Sequence, residues 1–275
     1  MSASGRPHDA GAAAPAPAAP APATPAPVTP EPGRFDPGAE RSVLIVLPHP
    51  DDETFSSGGT IALLSDAGVP VMYLCATYGD MGRRMGKPPE ATRESLRDVR
   101  VTELRDACAI IGTDFRYLGL RDKCVEFEDP QEVASTIRDT IRSMRPSTVI
   151  TFVPGHGVHP DHDAIGQFTV LAVRGLEPGE RPRLLGVAVN GANLTLPTVE
   201  ADITTTSSRK ILALKAHRSQ TASMFEEWEK NWDVETMTPL PGAPEPDAQT
   251  KAWRERLTSR ETYYVLDPDA PTLFE

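Results

Sequence analysis

Three short, almost wholly apolar runs constrain the fold most: Ser42–Leu47 (SVLIVL), Val69–Ala76 (VPVMYLCA) and Thr148–Val153 (TVITFV). They are too short for ordinary helices, rich in β-branched residues, and lack the polar alternation of a half-exposed strand. Such runs suit strands buried on both faces. Helical patterns lie between them: Ser57–Ala67, stopped by Gly68, and Pro130–Met144. The longest pattern, Arg93–Ile111, carries Leu96, Val99, Leu104, Ala107, Ile110 and Ile111 as its apolar stripe and stops at Gly112. Strand, helix and strand therefore alternate, which predicts an α/β fold with a mainly parallel sheet and helices on both faces. Weaker strand patterns fall at Phe115–Leu118, Leu184–Val189 and Thr262–Leu266. Thr238–Asp247 holds four prolines in ten residues and reads as a surface loop before a final helix near Ala252. No internal repeat is present.

The first 34 residues differ in kind. Met1–Arg34 contains 11 Ala and 9 Pro and almost no large apolar side chains. Such a segment cannot bury enough surface to offset its ordering entropy, so a disordered or polyproline-like tail is expected. Residues 35–275 then match one α/β domain with a substantial core. No run reaches the ~18 apolar residues of a membrane span, and the tail lacks the apolar stretch of a secretory signal. Cys75, Cys108 and Cys124 fit no CxxC pattern and cannot all pair within one chain, which suits a reducing compartment and makes the cytoplasm the expected location. They read as buried small hydrophobes. The net charge of −11 argues against a general nucleic-acid binder. Arg83–Arg105 nevertheless holds seven Arg or Lys against four acids. It reads either as a solvated helix face or as an anion-recognising rim.

Two segments carry the chemistry. Leu47-Pro48-His49-Pro50-Asp51-Asp52-Glu53 follows the first buried strand, and Gly155-His156-Gly157-Val158-His159-Pro160-Asp161-His162-Asp163 follows the third. Both therefore fall at the carboxyl ends of strands, where open α/β sheets build their sites. Three of the six histidines lie within seven residues of the second segment. His49 with Asp52, and His159 with His162, are spaced by three, which turns both side chains of each pair the same way at a helix start. Two His and one carboxylate with a fourth position open is the pattern of a catalytic zinc site; ferrous iron accepts the same donors. Either segment alone could be a turn leading into a capped helix. Their coincidence after two buried strands favours the metal.

HPDDE and HPDH, with the intervening Thr77-Tyr78-Gly79-Asp80-Met81-Gly82, resemble the LmbE-like, or PIG-L, family of zinc-dependent de-N-acetylases over about residues 42–230. The likeness is closer to the second-type deacetylases of bacillithiol biosynthesis. It is carried by Cys75-Ala76-Thr77, Met81-Gly82-Arg83, Ala91-Thr92-Arg93-Glu94-Ser95-Leu96, Leu118-Gly119-Leu120-Arg121-Asp122-Lys123 and Pro154–Ala164. Ala216-His217-Arg218-Ser219-Gln220 resembles the family's late HxSQ segment. The resemblance implies a Rossmann-like domain with His49, Asp52 and His162 as metal ligands and Asp51 as general base. Asp51 would take a proton from the attacking water. A protonated His159 would stabilise the oxyanion and protonate the amine, with Asp161 orienting it and raising its pKa. Asp122 would hydrogen-bond sugar hydroxyls, although a surface salt bridge is the rival reading. Glu53 reads as holding a ligand or as catalytic, His156 as structuring its loop or supporting the site, and His217 as a packed or capping residue ahead of one in contact with the site.

The expected activity is hydrolysis of the N-acetyl group of a small amino-sugar conjugate, N-acetylglucosaminyl malate first. Arg83, Arg93 and Arg100 are the candidates for its carboxylates, because guanidinium binds carboxylate bidentately. Rivals are a bacillithiol S-conjugate amidase, a deacetylase of another amino sugar, and a metal-dependent sugar-binding module without catalysis. A dinucleotide enzyme is disfavoured because no GxGxxG follows any strand. Neither a nucleic-acid nor a membrane partner is expected, and a homo-oligomer stays open.

Overall fold

The computed structural model describes residues 31–189 and 194–270. Its strands and helices run β1 Gly33–Arg34, β2 Val43–Leu47, α1 Asp52–Asp66, β3 Val71–Thr77, α2 Leu96–Ile111, β4 Asp114–Leu120, α3 Pro130–Met144, β5 Thr148–Phe152 and α4 Pro160–Arg174. They continue β6 Arg183–Val187, β7 Thr198–Asp202, α5 Ser207–Ala216, α6 Arg218–Trp228, β8 Trp232–Asp233, β9 Thr238–Pro239, α7 Ala248–Thr258 and β10 Arg260–Val265.

Eight strands form one sheet in the order β1-β7-β10-β6-β5-β2-β3-β4. All neighbours are parallel except β10, which runs antiparallel to both β6 and β7. Helices α3 and α4 pack together, as do α1, α2 and α5, giving the two helical layers that a parallel sheet needs. The three apolar runs became β2, β3 and β5, and every residue of β2 and β5 is buried. After β2 the chain winds outward through β3 and β4, then crosses back to lay β5 on the other flank of β2. The two strands that precede the His-Pro-Asp segments are thus adjacent at the point where winding reverses. That is where open α/β sheets leave a crevice.

Helix α1 is held against the sheet by a buried polar knot. Glu261 on β10 accepts the amide N–H groups of Gly59 and Thr60 at 3.0 and 2.8 Å, both in the middle of α1. Lys210 of α5 donates to the same carboxylate at 2.6 Å, and both partners are almost fully buried. Residue 59 must be glycine for α1 to lie this close to Ile203, since a Cβ there would lie 2.6 Å from that side chain.

Several expectations are corrected. The tail expected over 1–34 lies outside the described residues up to 30, but Gly33 and Arg34 pair in parallel with Val199 and Glu200 and so belong to the sheet. Strand β7 went unread because TVEAD mixes buried and exposed positions. Thr238 and Pro239 of the proline-rich loop form a short bridge with Trp232 and Asp233. Cys75 and Cys108 are buried, whereas Cys124 is only half-buried. Among the described residues, no helix is long and apolar enough to cross a membrane.

Candidate metal and active site

The turn from β2 into α1 is fixed by its own backbone. The carbonyl of Pro48 accepts the amide and hydroxyl of Thr77 on β3 at 2.9 and 3.0 Å. Tyr73 donates its hydroxyl to the His49 carbonyl at 2.5 Å. The amide of His49 donates to Asp52 Oδ2 at 2.9 Å, closing the loop over the start of α1. Asp51, at the junction, is left-handed with φ 116°, a conformation rare and costly for a side-chain-bearing residue. After β5, His159 caps α4 by accepting the Asp161 amide on Nδ1 at 3.1 Å, with Pro160 at the first helical position. Asp163 accepts the Gly157 amide at 2.8 Å.

Nitrogens of His49 and His162 and a carboxylate oxygen of Asp52 lie within 4.8 Å of one another. His49 Nδ1 is 3.3 Å from Asp52 Oδ2, and His162 Nε2 is 3.5 Å from Asp52 Oδ1. Donors on a tetrahedral zinc at ~2.0–2.1 Å would stand ~3.4 Å apart, so the spacing fits such an ion. The tautomers fit as well. His162 Nδ1 is 3.0 Å from the Gly157 carbonyl, which only an N–H can satisfy, leaving the Nε2 lone pair facing Asp52. Its ring is stacked 4.0 Å from Phe152, which fixes its plane. His49 Nε2 lies 3.1 Å from Asp161 Oδ2 and 3.3 Å from Asp122 Oδ1, which leaves Nδ1 for an ion.

The charges point the same way. Burial works against protonating His49, yet hydrogen bonds to Asp122 and Asp161 and the charge of Asp52 hold its pKa well above the ordinary value. Burial would raise Asp52, but His162 and His49 bring it down to about 2. Asp122 and Asp161 are also held down against burial, chiefly by the hydrogen bond to His49. This excess of carboxylate around buried imidazoles suits a divalent cation.

Two roles inferred from the sequence are corrected here. The Asp161 carboxylate does not grip His159: it accepts the Lys123 and Val125 amides at 2.8 and 3.2 Å and faces His49. The pKa of His159 is lowered, first by burial and then by the charges of His49 and His162, with Asp161 opposing too weakly to reverse it. Asp122 is buried, accepting the Met81 amide at 2.6 Å and facing His49, so it neither forms a surface salt bridge nor stands open to a sugar.

Arg100 is the third correction. Expected on a carboxylate-binding rim, it is buried, and its guanidinium donates to the Pro50 carbonyl, to Gly79 O at 2.9 Å and to Asp51 Oδ2 at 3.1 Å. Gly79 must be glycine here, because it has φ 66° and a Cβ would lie 2.3 Å from the guanidinium. Burial raises the Asp51 pKa to about 6, with Arg100 opposing and Asp52 adding to the rise. Arg83 and Arg93 are exposed on the segment between β3 and α2. Arg93 is partly engaged, donating to the Asp80 and Gly82 carbonyls at 3.1 and 3.2 Å.

Glu53, read from the sequence as holding a ligand or as catalytic, instead holds the catalytic turn, and His217 reaches the site through it. Glu53 Oε2 accepts the Asp51 amide at 2.9 Å, and Oε1 lies 2.8 Å from His217 Nε2, both side chains fully buried. His217 is packed, as expected, but against the base of the catalytic turn. Burial alone would lower its pKa; the Glu53 charge and hydrogen bond outweigh it and raise it.

Known proteins resemble this chain in sequence and in fold. Residues 44–173 match the PIG-L family model, GlcNAc-PI de-N-acetylase. The chain is 48% identical over 205 residues to a probable N-acetyl-alpha-D-glucosaminyl L-malate deacetylase 2 of Bacillus cereus, covering 72% of this chain and 93% of that protein. It is 44% identical to the corresponding Bacillus subtilis protein, covering 68% and 87%. Among solved structures, N,N'-diacetylchitobiose deacetylase from Pyrococcus horikoshii shares the fold at a TM-score of 0.63 and 22% identity, covering 84% of this chain and 85% of that one. With its donor triad at the sheet's reversal point and relatives of this similarity, the chain belongs to the PIG-L family of de-N-acetylases.

Proposed function

We propose that the protein is a zinc-dependent deacetylase acting on a small amino-sugar conjugate, N-acetylglucosaminyl malate first, in the cytoplasm, with residues 35–275 and the short β1 strand working as one domain. The observation that carries this reading is the half-buried Asp51 carboxylate beside a triad of two His and one Asp with metal-fitting spacing. The named function of the Bacillus relatives supports the substrate. When bound, a divalent ion would polarise the acetyl carbonyl and favour deprotonation of water near neutral pH. Asp51, its carboxyl raised towards neutrality and oriented by Arg100, takes the proton of the attacking water. A new C–O bond forms and the C–N bond breaks, giving acetate and an amine; Asp51 returns the proton to the leaving nitrogen. With Nδ1 occupied by the Asp161 amide, a neutral His159 carries its proton on Nε2 and serves as a hydrogen-bond donor to the acetyl oxygen.

Arg83 and the exposed face of the Arg93 segment supply the positive charge for the malate carboxylates in a protein of net −11. The test compares acetate release from N-acetylglucosaminyl malate and from free N-acetylglucosamine. Charge-assisted contacts are worth ~1.5–3 kcal/mol, so Arg83→Ala should lower kcat/KM for the malate conjugate by roughly 10- to 150-fold. It should barely affect the free sugar. An unchanged ratio in Arg83→Ala and Arg93→Ala removes the malate assignment; no acetate release from any conjugate by metal-loaded enzyme removes the deacetylase.

A further inference from the structure

A cavity of about 300 Å³ opens directly off the donor triad, with Asp52 and His162 forming part of its wall. It is lined by α7 and by the ends of β5 and β6, on one flank of β2, whereas the Arg83–Arg93 segment follows β3 on the other flank. Its walls are mainly apolar: Phe55 of α1, Phe152, Val187, and Trp253 and Leu257 of α7. Phe55 and Trp253 meet edge to face at 6.0 Å, forming one side. Of the basic groups in the wall, Lys210 is paired with Glu261 at 2.6 Å and Arg260 with Glu255 at 2.7 Å, while the exposed Arg256 donates to the Ala188 carbonyl at 3.2 Å.

The volume falls within the ~300–1,000 Å³ typical of pockets that hold whole small ligands. An acetyl methyl would occupy a small corner of it. A sugar ring would strand hydroxyls against the aromatic and aliphatic part of these walls, at a cost of ~1–3 kcal/mol for each unsatisfied polar group. The substituents of the scissile amide diverge, so once the sugar lies towards the basic segment, the acyl carbon points the other way. We propose that this cavity is an acyl-chain subsite, and that the enzyme hydrolyses N-acyl groups of four to eight carbons from glucosamine as well as acetyl. The chemistry is the same: water adds to the acyl carbon, the C–N bond breaks, and a medium-chain carboxylate leaves with the free amine. This rests on the deacetylase reading, and deepens it by naming a second substrate class.

The experiment measures kcat/KM of the metal-loaded full chain on N-acetyl-, N-butyryl- and N-hexanoylglucosamine, together with calorimetric binding of acetate and hexanoate. A buried methylene is worth up to about fourfold. Hexanoyl should therefore exceed acetyl by roughly 10- to 100-fold, and hexanoate should bind more tightly than acetate by a similar factor. Val189→Trp at the mouth and Ser56→Leu inside the cavity should each collapse the hexanoyl-to-acetyl ratio to below about threefold. Efficiency that is flat or falls with chain length, with hexanoate bound no more tightly than acetate, overturns the proposal while leaving the deacetylase standing. So does a gain seen only with the benzyl glycoside of N-acetylglucosamine, because the cavity would then hold the aglycone. Should no amide be cleaved, the deacetylase reading falls, and the carboxylate binding series still decides for or against the subsite.

Discussion

Glu53 accepts the backbone N–H of Asp51 at 2.9 Å, two residues back, and so braces a residue whose φ of 116° is strained. Such strain costs ~1–3 kcal/mol and persists only where the surroundings impose it. Glu53→Gln replaces an acceptor oxygen with an N–H group that faces either the Asp51 amide or His217. Turnover should fall roughly 5- to 150-fold, matching the ~1–3 kcal/mol of one buried unsatisfied group. Bound metal, measured by elemental analysis, should stay near wild-type stoichiometry. Unchanged kcat with intact metal would show that the brace does not position the base.

The partner on the other Glu53 oxygen gives a pH signature. His217 has its folded pKa raised, with Glu53 overcoming the effect of burial, so folding favours its protonated form. The stability it adds is fully present below its unfolded value of ~6.5 and is lost as pH rises through the folded value. The difference in unfolding free energy between wild type and His217→Gln should therefore shrink as pH rises above ~6.5. A gap that widens with rising pH in denaturant titrations contradicts this.

Chelation should abolish hydrolysis and added zinc should restore it, since His49, Asp52 and His162 supply only three donors and leave a position open. His49→Ala and His162→Ala should each lose the metal. Asp161→Asn is the more discriminating variant, because its carboxylate faces His49 at 3.1 Å. Loss of such an outer partner typically weakens metal affinity ~10- to 100-fold. Wild-type affinity in Asp161→Asn would reassign that carboxylate.

Asp51→Asn separates base from ligand. It should keep the metal and lose ~10²- to 10⁴-fold in turnover, whereas Asp52→Ala should lose both. Metal loss in Asp51→Asn, with normal turnover in the fraction that remains loaded, would exchange the two roles.

The strands β2, β3 and β5 were legible because doubly buried strands need uninterrupted apolar runs, and the His-Pro-Asp segments were legible because each follows one. Helix α3 lies where its periodicity put it, from Pro130 to Met144. Arg100 was misread although a signal existed. It stands four residues after Leu96 and four before Leu104, on the buried stripe of α2, and an arginine in that line points inward. The Asp161–His49 contact spans 112 positions and the His217–Glu53 contact 164. No local spacing encodes either, so Asp161 was matched to its neighbour His159 and His217 was left as packing. Strand β7 escaped because a two-sided requirement for burial had already relaxed near the sheet edge.

Glu261 reaches the middle of α1 from β10, the last strand among the described residues, and Lys210 joins it from α5. During synthesis the chain emerges from its amino end, so α1, with Asp52 at its start, leaves the ribosome well before the carboxylate that ties that helix down. The tie between β10 and α1 therefore closes only once residue 261 has been made, and this part of the donor scaffold is completed late in biogenesis.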